Sequence, residues 1–117
     1  MARGGSVEGV RLKYRNKPCE LDGEKYRSKL EMNRHWALRM LEKAGHIKEL
    51  RREVAYELAP SVQIQGRKRP ALRYYADFTY IEGTTYVVED CKGVRTEGYR
   101  IKRHLMRSVH GIEILET

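Results

Sequence analysis

The chain has 117 residues, of which 40% are hydrophobic and 34% charged, with 24 Lys and Arg against 16 Asp and Glu for a net charge of +8. That length gives one domain with a single modest core, and the basic balance favours an anionic partner, nucleic acid first and an acidic membrane surface second. Cys19 and Cys91 are too few for a disulfide framework and lack zinc spacing, which fits a reducing, cytoplasmic setting, while no apolar run approaches the eighteen or so residues of a membrane span.

Residues 1–17 are basic, glycine-containing and aperiodic, with no apolar segment of the secretory kind. They are expected to form a flexible N-terminal arm ahead of a single domain over 18–117. A turn at 20–24 leads into a helix over 28–44, where Leu30, Ala37, Met40, Leu41 and Ala44 recur at three- and four-residue spacing and should bury. Gly45 is its natural stop. After a connector at 46–50, Val54, Tyr56 and Leu58 alternate with polar neighbours as a strand ended by Pro60, and 61–64 extends the pairing. Residues 65–70 read as a basic loop carrying Arg67, Lys68 and Arg69, either a solvated hairpin tip or a phosphate clamp. Two strands follow, at 71–81 and 85–92. A helix at 96–109 ends at Gly111, and a short last strand alternates through Ile112 and Ile114. The order is α-β-β-β-α-β, an α/β domain.

Chemistry concentrates where the two central strands end. Tyr75-Ala76-Asp77-Phe78 is followed by Val87-Val88-Glu89-Asp90-Cys91-Lys92-Gly93. Residues i and i+2 of a strand share a face, so Asp90 and Lys92 point the same way and Glu89 the other. Glu82-Gly83 reads as a hairpin turn, and with a loop of two or four residues Asp77 joins them, opposite or diagonal to Asp90. Asp90 is therefore preferred over Glu89 as a metal ligand, although a bulge would reverse the choice. Glu31, beside the apolar stripe of the first helix, can reach the same edge and bind a metal directly or through water. The backbone carbonyl of Cys91 can complete the oxygen shell. Carboxylates sharing Mg²⁺ or Mn²⁺ with phosphate oxygens, next to a lysine that stabilises phosphate charge, are the parts of a nuclease. On this reading Glu31, Asp77, Asp90 and Lys92 are catalytic. Lys29, the Arg67-Lys68-Arg69 loop, and Tyr99, Arg100, Lys102 and Arg103 of the second helix are the DNA contacts. The four histidines have no metal spacing and are assigned to the surface or to DNA. Trp36 is a core or interface residue.

The order Glu31, Asp77, Asp90-Cys91-Lys92 resembles the PD-(D/E)XK nuclease superfamily. Further stretches are similar to a small phage-encoded family, catalogued as a domain of unknown function and linked to Holliday junction resolvases of that superfamily. They are Tyr14-Arg15-Asn16-Lys17, Leu21-Asp22-Gly23, Ser28-Lys29-Leu30-Glu31, Ala76-Asp77-Phe78, Val88 to Gly93 and Tyr99-Arg100-Ile101-Lys102. The resemblance implies a restriction-endonuclease-like core with a central mixed sheet flanked by helices. It also implies a Mg²⁺- or Mn²⁺-dependent endonuclease acting as a homodimer on four-way DNA junctions in the host cytoplasm. Ala76 stands where the superfamily pattern has proline. A nicking or transposon-end nuclease of the same fold, and a non-catalytic DNA-binding protein, are the alternatives.

Overall fold

A computed structural model describes residues 18–91 and 94–117; the N-terminal arm, Lys92 and Gly93 lie outside the described residues. The elements are β1 (Cys19–Leu21), β2 (Glu24–Tyr26), α1 (Lys29–Lys43), β3 (Lys48–Ala59), β4 (Val62–Ile64), β5 (Arg67–Arg69), β6 (Leu72–Glu82), β7 (Thr85–Asp90), α2 (Glu97–His110) and β8 (Leu115–Glu116). A four-stranded sheet runs β3-β6-β7-β8. It is mixed: β3, β6 and β7 are antiparallel, and β8 returns through α2 to lie parallel to β7. This is the α/β class expected from the alternation of elements.

Two small hairpins decorate it. β1–β2 turns at Asp22-Gly23 and β4–β5 at Gln65-Gly66, each pair with both φ angles positive. That is the turn whose twist matches antiparallel strands. The basic segment at 65–70 is thus a strand and a tight turn rather than a loop, and residues 62–64 pair with it instead of lengthening the β3 pairing. The expected connector at 46–50 is largely strand, since β3 starts at Lys48 with a bulge near Glu49.

Both helices begin on a hydroxyl cap. Ser28 Oγ accepts the Glu31 N–H at 3.2 Å, and Thr96 Oγ1 accepts the Tyr99 N–H at 3.1 Å. α2 ends on Gly111 in the left-handed region. One core cluster joins Leu58, Tyr74, Ala76, Val88 and Ile114 to Tyr99 and Met106 of α2; the other joins Phe78, Tyr80 and Ile47 to Leu38 of α1. Val87 packs with the α1 cluster and Val88 with the α2 cluster, so the helices cover opposite faces of the sheet.

The face of α1 departs from expectation. Glu31, His35 and Leu38 are its buried residues, whereas Leu30, Met40 and Leu41 are exposed along with Trp36. Apolar spacing pointed to the wrong stripe because two of the three buried positions, Glu31 and His35, are polar and are received by particular partners. His35 Nδ1 meets the Tyr26 hydroxyl at 2.6 Å, and its ring stacks on Phe78. His35 is therefore a core residue, not a surface one, and burial lowers its pKa. Leu38 is fully buried in the core, whereas Trp36, read from the sequence as core or interface, is exposed.

Candidate active site

β6 changes face in mid-strand. Tyr74 and Ala76 pack under α2, yet Phe78 and Tyr80 pack under α1, although strict alternation would keep all four together. Asp77 sits at the changeover. Directly across β3, between the pairs Val54↔Ala76 and Arg52↔Phe78, Glu53 has φ +54. A non-glycine residue in that region inside a strand is strained, and such strain collects at functional sites.

The β6–β7 hairpin has a two-residue loop, with Glu82 opposite Thr85 and Phe78 opposite Glu89. The pairing ends there, and the next residues of the two strands, Asp77 and Asp90, are neighbours. Both carboxylates are almost completely buried. Burial first, and then the charge of Asp90 beside it, raise the Asp77 pKa from 3.8 to about 6; the Cys91 N–H pulls the other way. That amide donates to Asp77 Oδ2 at 2.8 Å. Tyr74 is a further neighbour of Asp90, its hydroxyl pushed up by burial and then by the Asp90 charge.

Glu31 reaches this corner from α1 and is 2% exposed. Its Oε1 accepts the Arg27 backbone N–H at 3.1 Å. The Arg27 guanidinium lies 2.6 Å from Asp77 Oδ1 and 3.5 Å from Glu31 Oε2. Asp77 thus neighbours Asp90, and Arg27 joins it to Glu31. Sequence reasoning passed over Arg27, although its place just before a Ser-x-x-Glu capping pattern was a usable signal.

Glu89 lies on the other face, fully buried. Arg34 holds it through Nε at 2.6 Å and a terminal nitrogen at 3.0 Å. The hydroxyls of Tyr80 and Thr117 add bonds at 2.7 and 3.0 Å. The Cys91 thiol lies 3.4 Å from Thr117 Oγ1, and burial pushes its pKa up to about 11. Lys92, read from the sequence as part of the site, lies outside the described residues.

Among the described residues no three His, Cys, Asp or Glu side chains form a ready-made metal cage. The donor set still suits a hard divalent cation. Mg²⁺ keeps most of its waters and takes one or two carboxylates together with substrate phosphates. Two adjacent buried carboxylates, one of them holding its proton to about pH 6, mark an excess of negative charge that a divalent cation relieves.

The assigned DNA contacts divide. Lys29, Arg67, Lys68, Arg100 and Lys102 are exposed, and Arg69 is half-buried. Tyr99 is not on the surface: it is 5% exposed in the α2 core cluster, and its hydroxyl donates to Glu116 Oε2 at 2.7 Å. Arg103 is half-buried and paired with the same carboxylate at 2.9 Å. The Tyr99 bond, with Arg95 and Arg103, holds the Glu116 pKa down to about 2. The spacing that put Tyr99 and Lys102 on one face hid the fact that the boundary between core and solvent runs between them.

No helix among the described residues is long and apolar enough to cross a membrane. No curated protein and no solved structure matches the chain. A family described as a protein of unknown function (DUF1064) matches residues 11–112, and with nearly the whole length aligned the chain belongs to that family.

Proposed function

We propose that the protein is a metal-dependent endodeoxyribonuclease of restriction-endonuclease-like fold, acting on branched DNA with four-way junctions as its preferred substrate. The observation that carries this reading is the buried Asp77–Asp90 pair, mid-strand in β6 and at the end of β7, with the Asp77 pKa raised to about 6, in a chain of net charge +8. Asp77 and Asp90 would hold Mg²⁺ or Mn²⁺, with Glu31 taking part directly or through water. When bound, the cation supplies charge stabilisation at the phosphoryl oxygen and an acidified water. Asp77 is fixed for this by the Cys91 amide, which orients one carboxylate oxygen. Asp90 is fixed by the strand itself, since its carbonyl accepts the Thr117 N–H at 3.0 Å. Arg100 and Lys102 on the exposed side of α2, Lys29 at the start of α1, and Arg67 and Lys68 on the β4–β5 hairpin offer cations to the phosphate backbone. Lys92 would stabilise charge on the phosphate.

A four-way junction needs two symmetric nicks, and a chain this small carries one such site, so the working unit is proposed to be a homodimer. The exposed apolar residues of α1, Leu30, Trp36, Met40 and Leu41, favour that helix as the contact with a second copy. Labelled linear, flapped, forked and four-way DNAs incubated with Mg²⁺ test the reading, with light scattering to give the mass in solution. Preferential cutting of four-way DNA by a species of about twice the 13.8 kDa chain is expected. Equal cutting of all substrates by a monomer would remove the resolvase assignment and leave a nuclease. Metal-dependent DNA binding without any cutting would leave a binding protein.

A further inference from the structure

We propose that Arg27 is a built-in counter-cation of the carboxylate site: it holds the metal's place in the resting protein and moves onto a DNA phosphate when the metal enters. The proposal rests on the cation-site reading of Asp77, Asp90 and Glu31. One terminal nitrogen of Arg27 lies 2.6 Å from Asp77 Oδ1 and 3.5 Å from Glu31 Oε2, the position of a cation between two acidic residues. The Arg27 side chain is 67% exposed while both carboxylates are 3% exposed, so the guanidinium enters from the solvent side, where a phosphodiester would arrive.

The main chain of Arg27 is anchored separately. Its backbone N–H donates to Glu31 Oε1 at 3.1 Å, and it immediately precedes the capping Ser28. The side chain can therefore leave without undoing the start of α1. Arg34 shows what a permanent arginine looks like in this protein: two nitrogens on Glu89, and two hydroxyls completing the same carboxylate. A guanidinium and a divalent cation repel strongly within a few ångströms, whereas guanidinium and phosphate match in charge and planar geometry. Metal entry thus releases Arg27 toward the substrate, and substrate draws it off the carboxylates. The two ligands are coupled, each tightening the other equally.

Calorimetric titration of the full chain with Mn²⁺ alone tests the first half. Arg27→Gln should bind about tenfold more tightly than wild type, within the usual range of such couplings, and Arg27→Lys should stay close to wild type. Arg27→Met serves as a second neutral variant, and circular dichroism checks the fold of each. Duplex binding tests the second half. In Ca²⁺ the Arg27→Gln variant should lose about one unit of salt slope, the signature of one lost phosphate contact; in EDTA the slope should match wild type. Equal Mn²⁺ affinities for wild type and Arg27→Gln, with binding lost in Asp77→Asn, would overturn the proposal and leave the cation site standing. No Mn²⁺ binding by a folded Arg27→Gln would overturn both.

Discussion

Glu89 and Asp90 are neighbours in β7, both buried, and they have been given opposite tasks. Glu89 meets a bidentate arginine and two hydroxyls, which satisfy both of its oxygens on the α1 face. Asp90 meets Asp77, whose proton is retained to about pH 6 because burial and a like charge oppose ionisation. A fully satisfied buried carboxylate is a structural clamp. A pair of carboxylates pushed together, with one solvent-exposed arginine at the mouth, leaves charge to be answered by a ligand.

Breaking each side should separate the two roles. Replacing Asp77 or Asp90 by asparagine is expected to lower metal-dependent cleavage by roughly 10³-fold or more, the several kcal/mol a catalytic cation supplies. Duplex affinity measured by fluorescence anisotropy should change little. Glu89→Gln should keep most of its cleavage per folded molecule. If Glu89→Gln loses as much cleavage as Asp90→Asn while remaining folded, the assignment of the two residues is reversed.

The same contrast between committed and available groups runs along α2. Arg103 is tied to Glu116, while Arg100 and Lys102 face solvent. DNA affinity should fall roughly 10³-fold between about 50 and 200 mM salt if about six phosphates are neutralised. Lys102→Ala should reduce that slope by about 1. Arg103→Ala should instead register mainly in thermal stability. A flat salt response would point away from nucleic acid.

On the clamp side the cost is to the fold. Glu89→Ala leaves Arg34 without its partner in a site that is only partly open, its side chain 31% exposed. Allowing for that exposure, the loss should be roughly 2–3 kcal/mol, or a drop of about 10 °C or more in the melting midpoint of a domain this size. A midpoint within a degree or two of wild type would show that the network is dispensable.

Much of this was legible in the chain. The order of the main elements, the stops at Gly45 and Gly111, and the opposite faces of Glu89 and Asp90 follow from local rules: period two in strands and the turn chemistry of glycine. What was not legible depended on partners distant in sequence. Glu31 and His35 line the buried side of α1 because Arg27, Tyr26 and Phe78 receive them, which no apolar periodicity registers. Tyr99 is core because Glu116, seventeen residues on, takes its hydroxyl. The changeover in β6 at Asp77 coincides with the positive φ of Glu53 across the sheet, a juxtaposition that only the register reveals.

The smallest expected effect is in the pH dependence of stability, and it bears most directly on Asp77. Its folded pKa, about 6, lies above its ordinary 3.8. The native state therefore binds the proton more tightly than the unfolded chain. The stability this proton contributes is fully present below about pH 4 and is lost as the pH rises through 6. Near neutrality the ionised Asp77 burdens the fold, and Asp77→Asn, which never ionises, should be more stable than wild type by about 2 kcal/mol at pH 8. That advantage should shrink across pH 6 and vanish near pH 4. Mn²⁺ added to wild type at pH 8 should supply a similar gain and do nothing for Asp77→Asn. Thermal melts of the two proteins across this range, with and without Mn²⁺, decide the matter. An Asp77→Asn advantage that stays constant with pH would mean that Asp77 carries no excess charge, and the contrast with Glu89 would lose its physical basis.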